Sequence, residues 1–182
     1  IRNSVLIVAM LPLLLFASIP EIQAVSEHIL LLIAAAATGA IGLGLHISTG
    51  KYIGLGISNT IRNTVLIITS IILGFIFLDE KLSTLQFGII LGLIIFTSLL
   101  ANSRHSKSDN LHEDIPKGIL LSVLTGIAHA VTFFLFTILS REMNPYVATY
   151  FWESMIGVLL IIYSTFYFRN QKRNYESTVQ KL

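Results

Sequence analysis

The residues able to do chemistry in this chain are few, and most stand inside or beside long apolar runs. Asp79, Glu80 and Lys81 occur together in LGFIFLDEKLSTLQFGIILGL, residues 73–93. Adjacent carboxylates suit acid/base work, yet neighbours on a helical end point roughly 100° apart, a poor arrangement for sharing a proton. Charges between two apolar runs also mark a turn at a membrane surface, where Ser83 or Thr84 can cap the next helix and Gln86 can support its first turn.

Glu153 stands in TYFWESMIGVLL, flanked by Tyr150 and Trp152. An ionisable group in such a run is costly and therefore a functional candidate; a carboxylate there is suited to take up and release a proton that drives a carrier. The other reading is a glutamate shallow enough to meet headgroup water, with the aromatic rings as an interfacial belt. Asn59, Arg62, Asn63 and Ser70 recur at helical spacing and make a candidate stripe for a polar or anionic substrate, while Arg62 has the alternative of snorkelling along its helix to the interface. His46 and His129 sit among apolar residues, as proton relays or as hydrogen-bonded packing residues; two histidines on different helices do not make a zinc site. Arg2 is a substrate-facing charge if the chain begins within a helix.

The elements that must position these groups follow from length. Crossing a bilayer core of about 30 Å takes roughly 20 mostly apolar residues in a helix. Six segments meet or approach that ruler: residues 4–19, 29–48, 53–78, 85–101, 118–139 and 146–168. The runs are too long for strands and lack the alternation of a membrane barrel. The first is short and is expected to begin upstream of Ile1; its basic leader and following small residues also resemble a signal peptide, a reading disfavoured by the five apolar segments that follow. Pro20 and Glu21 end this first segment, and SREMNP separates the fifth from the sixth. The polar stretch 102–116 is a linker between two halves, residues 1–101 and 117–168, and 169–182 is a polar tail. Gly88 and Gly92, together with AAAATGAIGLG in the second segment, are small-residue faces that let helices approach closely.

Composition narrows the function. The chain is 54% hydrophobic and 12% charged, with a mean hydropathy of +0.78; a typical soluble domain is roughly 25% charged. Without cysteine there is no disulfide, thiolate metal site or thiol nucleophile. No basic run interleaved with aromatics points to nucleic acid, and no metalloprotease helix, nucleophile elbow or P-loop points to an enzyme. No cofactor or metal is expected. Lys51, Arg104, Lys107, Lys117, Arg169, Lys172, Arg173 and Lys181 fall on one side of an alternating topology, and Lys81 and Arg141 on the other, which makes the first side cytoplasmic by the positive-inside rule.

The segment IITSIILGFIFLDEKLSTLQFGIILGLIIFTSLLAN, with Glu80, Gln86 and Gly88 at its turn, resembles the last two helices of a repeat in the drug/metabolite transporter superfamily, of the EamA-like kind. PKGILLSVLTGIAHAVTFFLFTILSREMNPYVATYFWESMIGVLLIIY is similar to the start of a second repeat. The resemblance implies a fragment of a ten-helix carrier of two inverted five-helix repeats, this chain holding helices two to seven. It implies alternating access to a small metabolite or drug at a central cavity, in a cell membrane, with a solute and protons as partners besides lipid. It also implies that the Asp79 turn is cytoplasmic if the N-terminus is, opposite to the charge count. The alternative from another class is a non-transporting membrane scaffold, for which apolar helices and glycine faces suffice. Buried polar groups separate the two: a scaffold satisfies Asn59, Asn63 and Glu153 in helix contacts, and a carrier points them into one cavity.

Overall fold

The computed structural model describes residues 8–79, 81–104 and 114–179, so Arg2, Glu80 and most of the linker lie outside the described residues. The chain is all-helical. After a short 3-10 turn at Leu11–Phe16 come α1 (Ile19–Glu27), α2 (Ile29–Thr49), α3 (Leu55–Phe77), α4 (Thr84–Arg104), α5 (Ile115–Glu142) and α6 (Pro145–Val179). Three whole helices, α2, α3 and α5, and the Pro145–Thr165 part of α6 are long and apolar enough to cross a membrane; α4 carries a shorter apolar stretch, Thr84–Phe96.

Burial is arranged for lipid rather than water. Among the described residues the fully buried side chains include Thr49, Ser58, Ser122 and Thr125, whereas Leu30, Leu85 and Phe96 are 80%, 75% and 66% exposed. In water such outward leucine and phenylalanine surface would be unfavourable at about 25 cal/mol per Å²; in a bilayer the apolar drive between helices vanishes and small residues at the contacts take over. Buried hydroxyls must then find partners within the protein, and most do, Ser154 Oγ being without one among the described residues. Thr49 donates to the carbonyl of Leu45 at 2.9 Å, Thr125 to Leu121 at 2.7 Å, and Ser122 to Gly118 at 3.0 Å. The protein is an integral, polytopic helical membrane protein.

The backbone divides into two compact units, one from Ile1–Ala40 with Leu139–Leu182 and one from Ile41–Ile138. In the first, Leu32, Ala35 and Ala36 of α2 and Val147, Ala148 and Ile156 of α6 are buried.

The start of the chain departs from the sequence reading. Pro20 and Glu21, expected to end a span at residues 4–19, instead open α1, with Pro20 in its first turn. Proline is tolerated there because its missing N–H would have no intrahelical partner. Glu21 Oε2 reaches back to accept the backbone N–H of Ser18 at 2.6 Å and its hydroxyl at 2.8 Å, a capping box. Its Oε1 accepts from Asn144 Nδ2 at 2.8 Å, while Asn144 Oδ1 accepts the N–H of Tyr146 at 2.9 Å and so caps α6. One carboxylate thereby ties α1 to the turn between α5 and α6.

The Asn144 bond, and after it the two Ser18 bonds, hold the Glu21 carboxyl below its ordinary value of 4.5. Because the folded value is depressed, this clamp stabilises the protein above the unfolded value and loses its contribution as pH falls through the folded one. The thermal midpoint of the wild type should accordingly fall further than that of Asn144→Ala on acidification from about pH 7 to about pH 3. Superimposable pH profiles would count against the clamp.

At the other punctuation mark, Asp79 ends α3 with φ of 52°, the left-handed conformation common just past a helix end. Ser83 and Gln86 then start α4 reciprocally: the Gln86 N–H donates to Ser83 Oγ at 3.2 Å and the Ser83 N–H to Gln86 Oε1 at 2.8 Å. Asp79 and Lys81 are exposed. At the far end of the chain, α6 runs on through the polar segment 169–179.

Candidate functional site

The site is built in the second unit by α2, α3 and α5, where glycine decides how closely helices approach. A Cβ on Gly126 would stand 2.7 Å from the backbone carbonyl oxygen of Arg62 and 2.7 Å from Val65 Cβ; one on Gly118 would stand 2.6 Å from Ile53 Cγ2. Between these two contacts the hydroxyl of Ser122 meets that of Ser58 at 3.1 Å, both fully buried. Partners on α3 and its preceding turn therefore rise in number with those on α5, so the two helices run parallel along this seam.

The same face of α5 carries His129 one turn beyond Gly126. Its Nδ1 lies 2.9 Å from the carbonyl oxygen of Thr125, which fixes the proton on Nδ1 and leaves Nε2 as the outward nitrogen. The imidazole lies over Gly42 of α2, where a Cβ would come within 2.8 Å of both Cε1 and Nδ1. One turn along α2 from Gly42 stands His46, whose Nδ1 is buried without a hydrogen-bond partner among the described residues. Both imidazoles lie within electrostatic reach of the Arg62 guanidinium, and His46 within reach of His129.

Arg62 is half-buried and folds onto its neighbour, Nε and Nη2 donating to Asn63 Oδ1 at 3.2 and 3.0 Å. No carboxylate neutralises it among the described residues. Depth follows from helix rise. At about 1.5 Å per residue, Arg62 lies about 10 Å along α3 from Leu55, and His129 about 16 Å along α5 from Gly118, itself level with the α2–α3 turn. At that turn the Lys117 ammonium sits 4.7 Å from the centre of the Tyr52 ring, the lysine and tyrosine pairing typical of a membrane interface. The cluster thus stands a third to a half of the way into a core of about 30 Å.

Of the other sequence candidates, Asn59 is half-buried on α3, one turn before Arg62, and its amide makes no side-chain hydrogen bond among the described residues. Glu153 and Trp152 belong to the first unit, on α6: Glu153 is half-buried and Trp152 is 9% exposed. Beside them the Tyr150 and Phe151 rings meet edge to face, 5.4 Å between centroids. An open apolar groove lined by Ile22, Val25, Ile29 and Phe151 lies in the same unit. No group of three His, Cys, Asp or Glu side chains able to hold a metal occurs among the described residues.

The glycines corrected by the structure are Gly88 and Gly92. They were expected to form a close-packing face, yet nothing among the described residues lies within 4 Å of a Cβ at either, and the same holds for Gly44. Gly42, within the small-residue face expected in the second segment, does make a close approach, and Gly118 and Gly126 make the others. Sequence reasoning missed the Ser58–Ser122 bond and the Gly42 seat, whose one visible trace was the occurrence of small residues at three- and four-residue spacing before His129.

No protein-family model matches this chain, and no curated protein or solved structure is significantly similar to it.

Proposed function

We propose that this chain is part of a secondary membrane carrier of the EamA-like, drug/metabolite kind, which binds a small solute between its helices and exposes it alternately to each side. The observation that carries this reading is the grouping of Arg62, His46 and His129 on three different membrane-capable helices, where the guanidinium has only a neutral amide for a partner among the described residues. A scaffold needs no such group, because an uncompensated charge in a span opposes insertion by roughly 2.5 to 3.5 kcal/mol at its centre. The satisfied hydroxyls of Ser58, Ser122 and Thr125 would serve either kind of protein; the cationic group serves only a binder.

Glu153 supplies the candidate proton carrier of this mechanism. The full-length carrier, reconstituted in proteoliposomes, should take up its solute faster when an inward proton gradient is imposed. Glu153→Gln should remove that acceleration while leaving exchange between equal solute pools intact. Solute uptake indifferent both to the gradient and to the substitution would separate Glu153 from coupling, and absence of flux for every class of solute would leave the scaffold reading.

A further inference from the structure

We infer that His46, Arg62 and His129 bind a small solute bearing a carboxylate or phosphate group, and that such an oxyanion is the substrate class of the carrier proposed above. The assignment rests on that carrier reading for its biological role and on the geometry of the second unit for its chemistry.

A guanidinium stays protonated at any physiological pH, and this one is half-buried within α3. Two of its five N–H donors converge on the single oxygen of Asn63; the others have no partner among the described residues. Both histidines add to the same sign or to none. His129 is held by Thr125 with Nε2 outward, and His46 Nδ1 is buried with no hydrogen-bond partner among the described residues. Three helices therefore bring together groups that are cationic or can become so, within reach of one another's field.

The gathering of like charges is unfavourable unless something neutralises them. A cation would be repelled by Arg62. A neutral solute would leave the guanidinium charged and uncompensated in an apolar surround. A metal ion would find two imidazoles beside a fixed positive charge and no third ligand among the described residues. A planar or tetrahedral oxyanion answers the demand of Arg62, whose fork suits two oxygens, and an imidazole that has taken up a second proton can donate to a third. Asn59, one turn away and half-buried with no side-chain hydrogen bond among the described residues, is placed to meet the polar remainder of such a solute.

An oxyanion of this kind is also offered by an anionic lipid headgroup, and the two sources part experimentally. The protein is placed in nanodiscs of zwitterionic phosphatidylcholine, and binding of inorganic phosphate, succinate, glycerol and tetramethylammonium is measured by equilibrium dialysis. Phosphate or succinate should bind saturably, and glycerol and tetramethylammonium should not. Arg62→Gln should weaken anion binding roughly tenfold or more, Arg62→Lys should weaken it less, and Gly88→Ala, remote from the cluster, should leave it unchanged. Thermal midpoints of all variants establish that each is folded.

Anion binding equal in wild type and Arg62→Gln would overturn the inference, as would binding of the neutral or cationic probe in its place. Absence of phosphate and succinate binding in phosphatidylcholine, together with an Arg62-dependent stabilisation by phosphatidylglycerol, would assign the cluster to lipid and overturn the solute form. Flux is a separate readout. Transport of a neutral or cationic solute without anion binding removes this inference and leaves the carrier, whereas Arg62-dependent anion binding without flux keeps the site and removes the carrier.

Discussion

Gly126→Ala should destabilise the protein, and Gly126→Leu should prevent α3 and α5 from packing at all. The expectation comes from two opposing magnitudes. Alanine improves helix propensity over glycine by about 1 kcal/mol, whereas a new methyl forced into a filled contact costs about 1 to 3 kcal/mol. At Gly126 the methyl would stand 2.7 Å from the carbonyl oxygen of Arg62, a backbone atom that cannot rotate away, and 2.7 Å from Val65 Cβ. The cost therefore wins, by up to about 2 kcal/mol for alanine. Gly88→Ala and Gly92→Ala face open space and should be neutral or stabilising by up to about 1 kcal/mol. Thermal or denaturant unfolding in detergent compares the three directly. If Gly126→Ala is as stable as Gly92→Ala, the close approach of α3 to α5 is wrong. Because Arg62 itself lends the contacting carbonyl, the same substitution should displace its side chain and lower function beyond the loss of stability.

The contrast between these glycines shows what could and could not be read in the sequence. Apolar run length located the five helices from α2 to α6 to within a few residues at most ends, because membrane thickness fixes how many residues a span needs. The capping of α4 by Ser83 and Gln86 was legible too, since a cap is a local pattern of three or four residues. What sits opposite a residue was not legible. Gly88 and Gly92 have the spacing of a packing face but no atom within 4 Å of a Cβ among the described residues, whereas Gly42 and Gly126 owe their closeness to an imidazole more than eighty residues away and to another helix's backbone.

Pro20 and Glu21 illustrate a different ambiguity. Both residue types punctuate helices, and the same pair that reads as an ending is an opening once Ser18 is recognised as the cap three positions before Glu21. The candidate site was legible as residue types only. Arg62 had two readings, the snorkelling arginine and the substrate-facing one; its folding onto Asn63 and its nearness to His46 and His129 depend on α2 and α5, which local spacing on α3 does not describe.

Arg62→Leu should make the protein more stable while abolishing anion binding. In an ordinary structural role the opposite holds, because truncating one partner of a buried charge pair strands the other charge and is destabilising by about 3 to 5 kcal/mol. Here no carboxylate would be stranded among the described residues, and the bonds lost are two to a neighbouring amide that is itself exposed and can turn elsewhere. Removing the charge relieves an insertion penalty of up to roughly 2.5 to 3.5 kcal/mol, reduced by whatever solvation the cluster provides. A net gain of about 1 to 2 kcal/mol in unfolding free energy is expected in the absence of ligand. The measurement is a pair of unfolding curves with and without phosphate. Wild type should gain stability with phosphate, by the linkage of binding to folding, and Arg62→Leu should start higher and gain nothing. A variant that starts lower would identify Arg62 as a structural residue whose partner lies outside the described residues, for groups selected to bind a ligand are the ones whose removal relieves rather than weakens the empty protein.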